Sequence, residues 1–147
     1  MKTLMTAAAV VLTTATVALA QAQPTPTPDL KGTWSGKWRT VILGSNPHHP
    51  PSGAADAPRV REIVFTLEIE GQDGRLLWGK TWSTPERKEP FVATITGDGK
   101  TIIGADTDGS LNLRIGARGR MDACYTHPAL SPSQSMVASC GALQRSR

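Results

Sequence analysis

From residue 33 onward, apolar and polar positions alternate with a period of two, and clusters of turn-forming residues interrupt the alternation about every ten residues. The segment 60–69 shows the pattern most cleanly: Ile63, Phe65, Leu67 and Ile69 share one face, while Glu62, Thr66 and Glu68 share the other. Such a segment is a strand with one dry face and one wet face. Seven more segments read the same way: 33–43, 75–83, 91–96, 101–105, 111–115, 121–126 and 135–143. Asp73-Gly74, Asp98-Gly99 and Asp108-Gly109 fall between neighbouring segments, where glycine supplies the positive φ of a tight reversal. Beyond residue 20 no stretch keeps a helical period. The predicted fold is therefore all-β, a single small antiparallel up-and-down β-barrel of about eight strands, because a meander of this length loses its exposed edges by closing on itself.

The N-terminal flank is different in kind. Lys2 gives a short positive start, residues 4–19 carry no charge, and Ala18-Leu19-Ala20 ends the run in a small-x-small pattern. Thr6, Thr13, Thr14 and Thr16 interrupt the apolar run, which falls short of the about 20 apolar residues of a membrane span. Residues 1–20 are thus predicted to be a cleavable signal peptide, 21–29 a Thr/Pro-rich linker and 30–147 the barrel domain. No cysteine follows the apolar run to accept a lipid, so no stable membrane insertion is expected. The mature chain is expected to be periplasmic or secreted. Its formal charge of +4, one less after loss of Lys2, is spread among acids rather than clustered beside stacking aromatics, so no nucleic-acid partner is expected. Cys124 and Cys140 are an even pair in a chain bound for an oxidising compartment, and a disulfide between them is predicted. They fall in the seventh and eighth segments, which makes them hairpin neighbours.

Leu30-Lys31-Gly32-Thr33-Trp34-Ser35-Gly36 opens the first strand with Gly-x-Trp. With eight candidate strands in a small exported chain, this resembles the calycin superfamily, the lipocalins and avidins. The resemblance implies a calycin-like barrel in which Trp34, after Gly32, packs its indole over the closed end. It also implies a late basic residue lying across that indole, and Arg145 is the candidate. Two features depart from those families. The connection at 129–134 is too short and Pro-interrupted for the helix that lipocalins place between their last strands. The late aromatics that wall the avidin biotin site have no counterpart, since Trp34, Trp38, Trp78 and Trp82 all lie in the first half of the domain.

Candidate chemistry centres on Trp38, Trp78 and Trp82, with Lys80 between the last two on their own face; these residues read as a pocket wall or as core packing. His48 and His49 sit in a Pro- and Gly-rich loop spanning 44–59. Adjacent residues of an extended chain point oppositely, so this loop reads as a lid or partner-contact segment more readily than as a chelate. Asp106-Thr107-Asp108-Gly109-Ser110 looks like a piece of a calcium loop lacking its closing bidentate acid, and Asp-Gly is what a hairpin requires in any case. No metal, cofactor or catalytic residue is assigned: there is no Gly-x-Ser-x-Gly elbow, and no histidine, His127 included, adjoins a recognisable partner.

Three functional readings stay open. The first is an exported binding protein that takes a small apolar or amphipathic ligand at a mouth rimmed by 44–59, Trp38, Trp78 and Trp82. The second is a protein-interaction module, such as an inhibitor of an envelope or host hydrolase, acting through the same loop. The third is a small barrel enzyme with Asn112, Arg114 and Asp122 facing the interior. The partner is then a small-molecule ligand or a protein, and oligomeric state is not legible.

Overall fold

The computed structural model describes residues 26–45, 57–128 and 135–146; the expected signal segment 1–20, most of the expected linker, and His48 and His49 lie outside the described residues. Eight strands follow one another: β1 (Gly32–Leu43), β2 (Arg59–Asp73), β3 (Leu76–Trp82), β4 (Glu89–Ile95), β5 (Thr101–Ala105), β6 (Ser110–Ile115), β7 (Arg120–His127) and β8 (Met136–Arg145). Each pairs antiparallel with the next, and β8 returns to pair with β1, closing the barrel. The period-two pattern is what drives this. Trp34, Trp38, Phe65, Leu67, Ile69, Leu77, Phe91, Ile95, Ile102, Leu111, Leu113, Met121 and Leu143 all turn inward and form one buried cluster. At about 1.5–3 kcal/mol for each large side chain buried, this core is the main stabilising contribution.

The axis of the barrel is filled. Trp38 is 1% exposed and stacks on Phe65 with ring centroids 4.3 Å apart. Its indole occupies the space a side chain at position 141 would need: a Cβ on Gly141 would fall 2.1 Å from the Trp38 ring. The outer wall carries ion pairs, Lys37–Glu62 at 3.2 Å and Lys80–Glu70 at 3.0 Å among them. Cys124 stands directly opposite Cys140 and is bonded to it, with Cα atoms 4.1 Å apart, the narrow spacing of a non-hydrogen-bonded antiparallel pair.

One end of the barrel is shut by the segment that enters β1. Trp34 Nε1 donates to the Leu30 carbonyl at 2.9 Å, and the Gln72 amide accepts from Leu30 N and donates to the Pro28 carbonyl, each at 2.9 Å. Gly32, with φ of 118°, turns the chain from this plug into the strand. The Arg145 guanidinium lies over the Trp34 ring, 5.3 Å from its centroid, and donates to the Lys31 carbonyl.

The strand bounds shift by one or two residues at most ends and depart furthest from the expected segments at β2. β2 continues beyond Ile69 to Asp73 because a bulge shifts the register between Ile69 and Gly71, placing Trp78 opposite Gly71. The enzyme reading required Asn112, Arg114 and Asp122 to face the interior; all three are exposed on the outer wall, on the phase opposite to Leu111, Leu113, Met121 and Ala123. The larger apolar side chains take the interior phase, and a one-residue slip that would reverse this is ruled out by the cost of exposing them.

Candidate functional site

The opposite end of the barrel, where the connections 83–88 and 106–109 lie, changes chemistry. Inward positions that are apolar along the middle of each strand become polar here. On β7, Met121 and Ala123 give way to Tyr125 and His127; on β4, Phe91 gives way to Glu89; on β3, Leu77 gives way to Thr81. A cavity of about 40 Å³ lies among these side chains, lined by Phe65, Thr81, Trp82, Ser83, Arg87, Glu89, Asp106, Asp108, Tyr125 and His127. That volume holds about three water-sized groups.

The β5–β6 turn builds one wall. Asp106 Oδ1 accepts from Gly109 N at 2.7 Å and from Asp108 N at 3.3 Å, a side-chain-to-backbone turn that fixes the Asp106 carboxylate. Gly109 leaves the space that Tyr125 fills, since a Cβ there would fall 2.2 Å from the Tyr125 hydroxyl. That hydroxyl lies 2.9 Å from Asp108 Oδ1 and 3.3 Å from Asp106 Oδ1. Thr107 Oγ1 donates to Glu89 Oε1 at 2.9 Å, tying the turn to β4. His127 Nδ1 stands 3.4 Å from Asp108 Oδ2. The His127 side chain is only 4% exposed, and its Nε2 has no hydrogen-bond partner among the described residues.

Carboxylate oxygens of Glu89, Asp106 and Asp108 come within 4.8 Å of one another. At an effective dielectric of about 20, two full charges at such a separation repel by about 3 kcal/mol. Burial, followed by the neighbouring charges of Glu89 and Asp108, holds the Asp106 carboxyl above its ordinary range, although hydrogen bonds from Gly109 and Asp108 N pull the other way. Burial and the charge of Asp106 likewise push the Tyr125 hydroxyl up, so it stays protonated and remains a donor. The arrangement concentrates negative charge in a small, partly dry space and is relieved by a positive group entering it.

The candidates read from the sequence are dispersed by the fold. Trp38 is inside the barrel, one residue contact away from the cavity through Phe65. Trp78, 46% exposed, lies on the outer wall over Gly71, and Lys80 is outside with it, paired to Glu70. Trp82 alone of the tryptophans lines the cavity, with the Lys88 ammonium 4.1 Å from its ring centroid. The structure thus does not bring Trp38, Trp78 and Trp82 to one rim. Glu89, Tyr125 and Arg87 were not singled out from the sequence. Asp106 and Asp108 were visible in the sequence as a calcium-loop fragment, while Glu89 is brought beside them from a neighbouring strand, a contact that no spacing along the chain encodes.

Comparison with protein-family models, with curated proteins and with solved structures finds no match to this chain.

Proposed function

We propose that this is an exported binding protein that uses a filled, rigid barrel as a scaffold and captures a positively charged group at the polar mouth. The observation that carries the reading is the convergence of Glu89, Asp106 and Asp108 around a cavity that also holds a buried, half-satisfied imidazole. Carboxylates crowded into a half-buried site make one another costly to ionise, and a cation entering among them relieves that cost. Trp82, Phe65 and Tyr125 give the same cavity aromatic walls, which suit the tip of an organic cation as well as a metal ion. The packed axis of Trp38, Phe65 and Leu67 favours the mouth over the lumen for a ligand, and the acids there favour a charged group over an apolar one. Export is supported by the apolar segment at 1–20 and by the Cys124–Cys140 bond. We place the fold with calycin-like barrels on three features: Gly32-x-Trp34 at the start of β1, the eight-strand closed meander, and Arg145 across the Trp34 indole.

The test is calorimetric titration of the mature chain with primary amines, guanidinium compounds, divalent cations and a panel of apolar ligands. Binding of a charged species that weakens at least tenfold in Asp108→Asn is the expected result. Binding of apolar ligands alone, unchanged in that variant, puts the ligand elsewhere and ends the proposal. A second reading, partner binding, draws on Leu76, Trp78, Val92 and Ile103, which are 46–65% exposed on the adjacent strands β3, β4 and β5. A Trp78→Ser variant that loses function while Asp108→Asn keeps it would favour that alternative.

A further inference from the structure

We infer that the group held at the mouth is a hard divalent cation of the calcium type, bound by the carboxylates of Glu89, Asp106 and Asp108, with Tyr125 and His127 as positioning residues. The inference rests on the preceding reading of the same site and makes its ligand specific.

The donor set selects the ion. The clustered ligand atoms are carboxylate oxygens with a phenol beside them and no thiolate, and the cavity's imidazole turns its Nδ1 to Asp108, a set that suits calcium, manganese and magnesium better than zinc or copper. Calcium takes about six to eight oxygen ligands in flexible geometry, and a carboxylate can give it one oxygen or two. The about 40 Å³ beside the acids leaves room for the waters that complete such a shell. The sequence fragment Asp106-x-Asp108 lacks the closing acid of a calcium loop along the chain. Glu89 supplies that acid from β4, and Thr107 of the same turn holds it by a 2.9 Å hydrogen bond.

His127 provides an observation independent of the acids. His127 Nδ1 faces Asp108 Oδ2 at 3.4 Å, so Nε2 is the ring nitrogen left without a partner. That nitrogen belongs to a side chain lining the cavity, is shut away from bulk water, and meets no donor among the described residues. A water bound to a cation is the donor that satisfies it. An imidazole bonded to a ligating carboxylate is also a common way of fixing that ligand's orientation. Arg87 lines the cavity too. The competing assignment, in which this guanidinium is the only counter-charge the acids require, is separated from the proposal by the experiment.

Trp82 makes the experiment direct, because an excited indole in the cavity wall transfers energy to a terbium ion standing in for calcium. The mature chain, stripped with chelator, is titrated with terbium under tryptophan excitation and then with calcium, while melting temperature is followed in parallel. The expected result is sensitised emission saturating at one ion per chain, displaced by calcium, with calcium raising the melting temperature. Glu89→Gln and Asp108→Asn lower terbium affinity at least about tenfold, and His127→Ala lowers it by about 10–100-fold, the usual cost of losing an outer-shell partner. Trp82→Phe loses the sensitised emission but keeps the calcium-induced rise in melting temperature, which guards against a variant that has merely unfolded. Failure of calcium, manganese and terbium to bind the wild-type chain overturns the inference, as does binding unchanged by Glu89→Gln and Asp108→Asn. If an amine or guanidinium compound binds in an Asp108-dependent manner while no metal does, the inference falls and the proposed function stands. If neither binds, both fall.

Discussion

Tyr125 reaches its two carboxylates across a residue that has no side chain. A methyl group on Gly109 would meet the phenol oxygen, and the backbone N of the same residue already donates to Asp106. Gly109→Ala is therefore expected to destabilise the protein by about 1–3 kcal/mol, as overpacking does, and to abolish terbium sensitisation by pushing the phenol out of the cavity. A denaturant midpoint equal to that of wild type, with emission intact, would contradict the geometry. The tryptophans show what the sequence displays at this scale and what it hides. Spacing by four correctly put Trp78 and Trp82 on one face and Trp34 and Trp38 on one face. It did not say which faces look inward, because Leu76-Leu77-Trp78-Gly79 has apolar groups on both phases. Lys80 decides the matter physically: its ammonium must stay wet, so Trp78 goes outside with it, and the slot inward of Gly79 is left to the backbone.

Among elements, the turns were the most legible. The Asp-Gly pairs at 73–74, 98–99 and 108–109 each connect neighbouring strands, and Gly74 and Gly99 take the expected positive φ, 53° and 67°, a local demand that the residues themselves meet; Gly109 does not, and its missing side chain serves instead to leave room for Tyr125. The β4–β5 turn is held by one carboxylate. Asp98 accepts from Thr96 Oγ1, Lys100 N, Thr101 N and Thr101 Oγ1 at 2.6–2.9 Å, and these bonds hold its carboxyl well below the usual carboxylate range. Since the folded value is depressed below the ordinary 3.8, the stabilisation is complete above that value and is lost as the pH falls below it. The difference in melting temperature between wild type and Asp98→Asn is expected to be widest near pH 6 and to shrink once the pH drops under about 4. A gap that stays constant across that interval would show that the charge is irrelevant to the turn. The β2–β3 bulge was not legible. It follows from how Trp78 covers Gly71, a tertiary preference with no signature in the alternation of either strand.

For the molecule as a whole, closure was readable and the site was not. Eight alternating segments in series have few ways to hide both edges, so the barrel follows from a count of strands and short connections. The mouth draws its acids from β4 and the β5–β6 turn and its imidazole from β7, and only the order of strands around the barrel brings them together. The cystine joins the last two strands close to the seam, as Cys140 also pairs with Arg39 on β1. By constraining the unfolded chain, a bridge across a loop of this length is worth about 3 kcal/mol. The Cys124→Ser/Cys140→Ser double variant is expected to lose about that much in denaturant unfolding, and a loss near zero would mean the core closes the barrel unaided.

The seam itself carries a further consequence. Ser139 on β8 donates to the carbonyl of Arg39 on β1, a partner 100 positions earlier. Contacts of such long reach form slowly, because most of the polymer must already be arranged before its two margins can meet. Until the ten residues of β8 dock, β1 and β7 each present a row of unsatisfied amides to any neighbouring copy. Dilution during renaturation favours the single closed molecule, whereas crowding favours edge-to-edge stacking of incomplete ones.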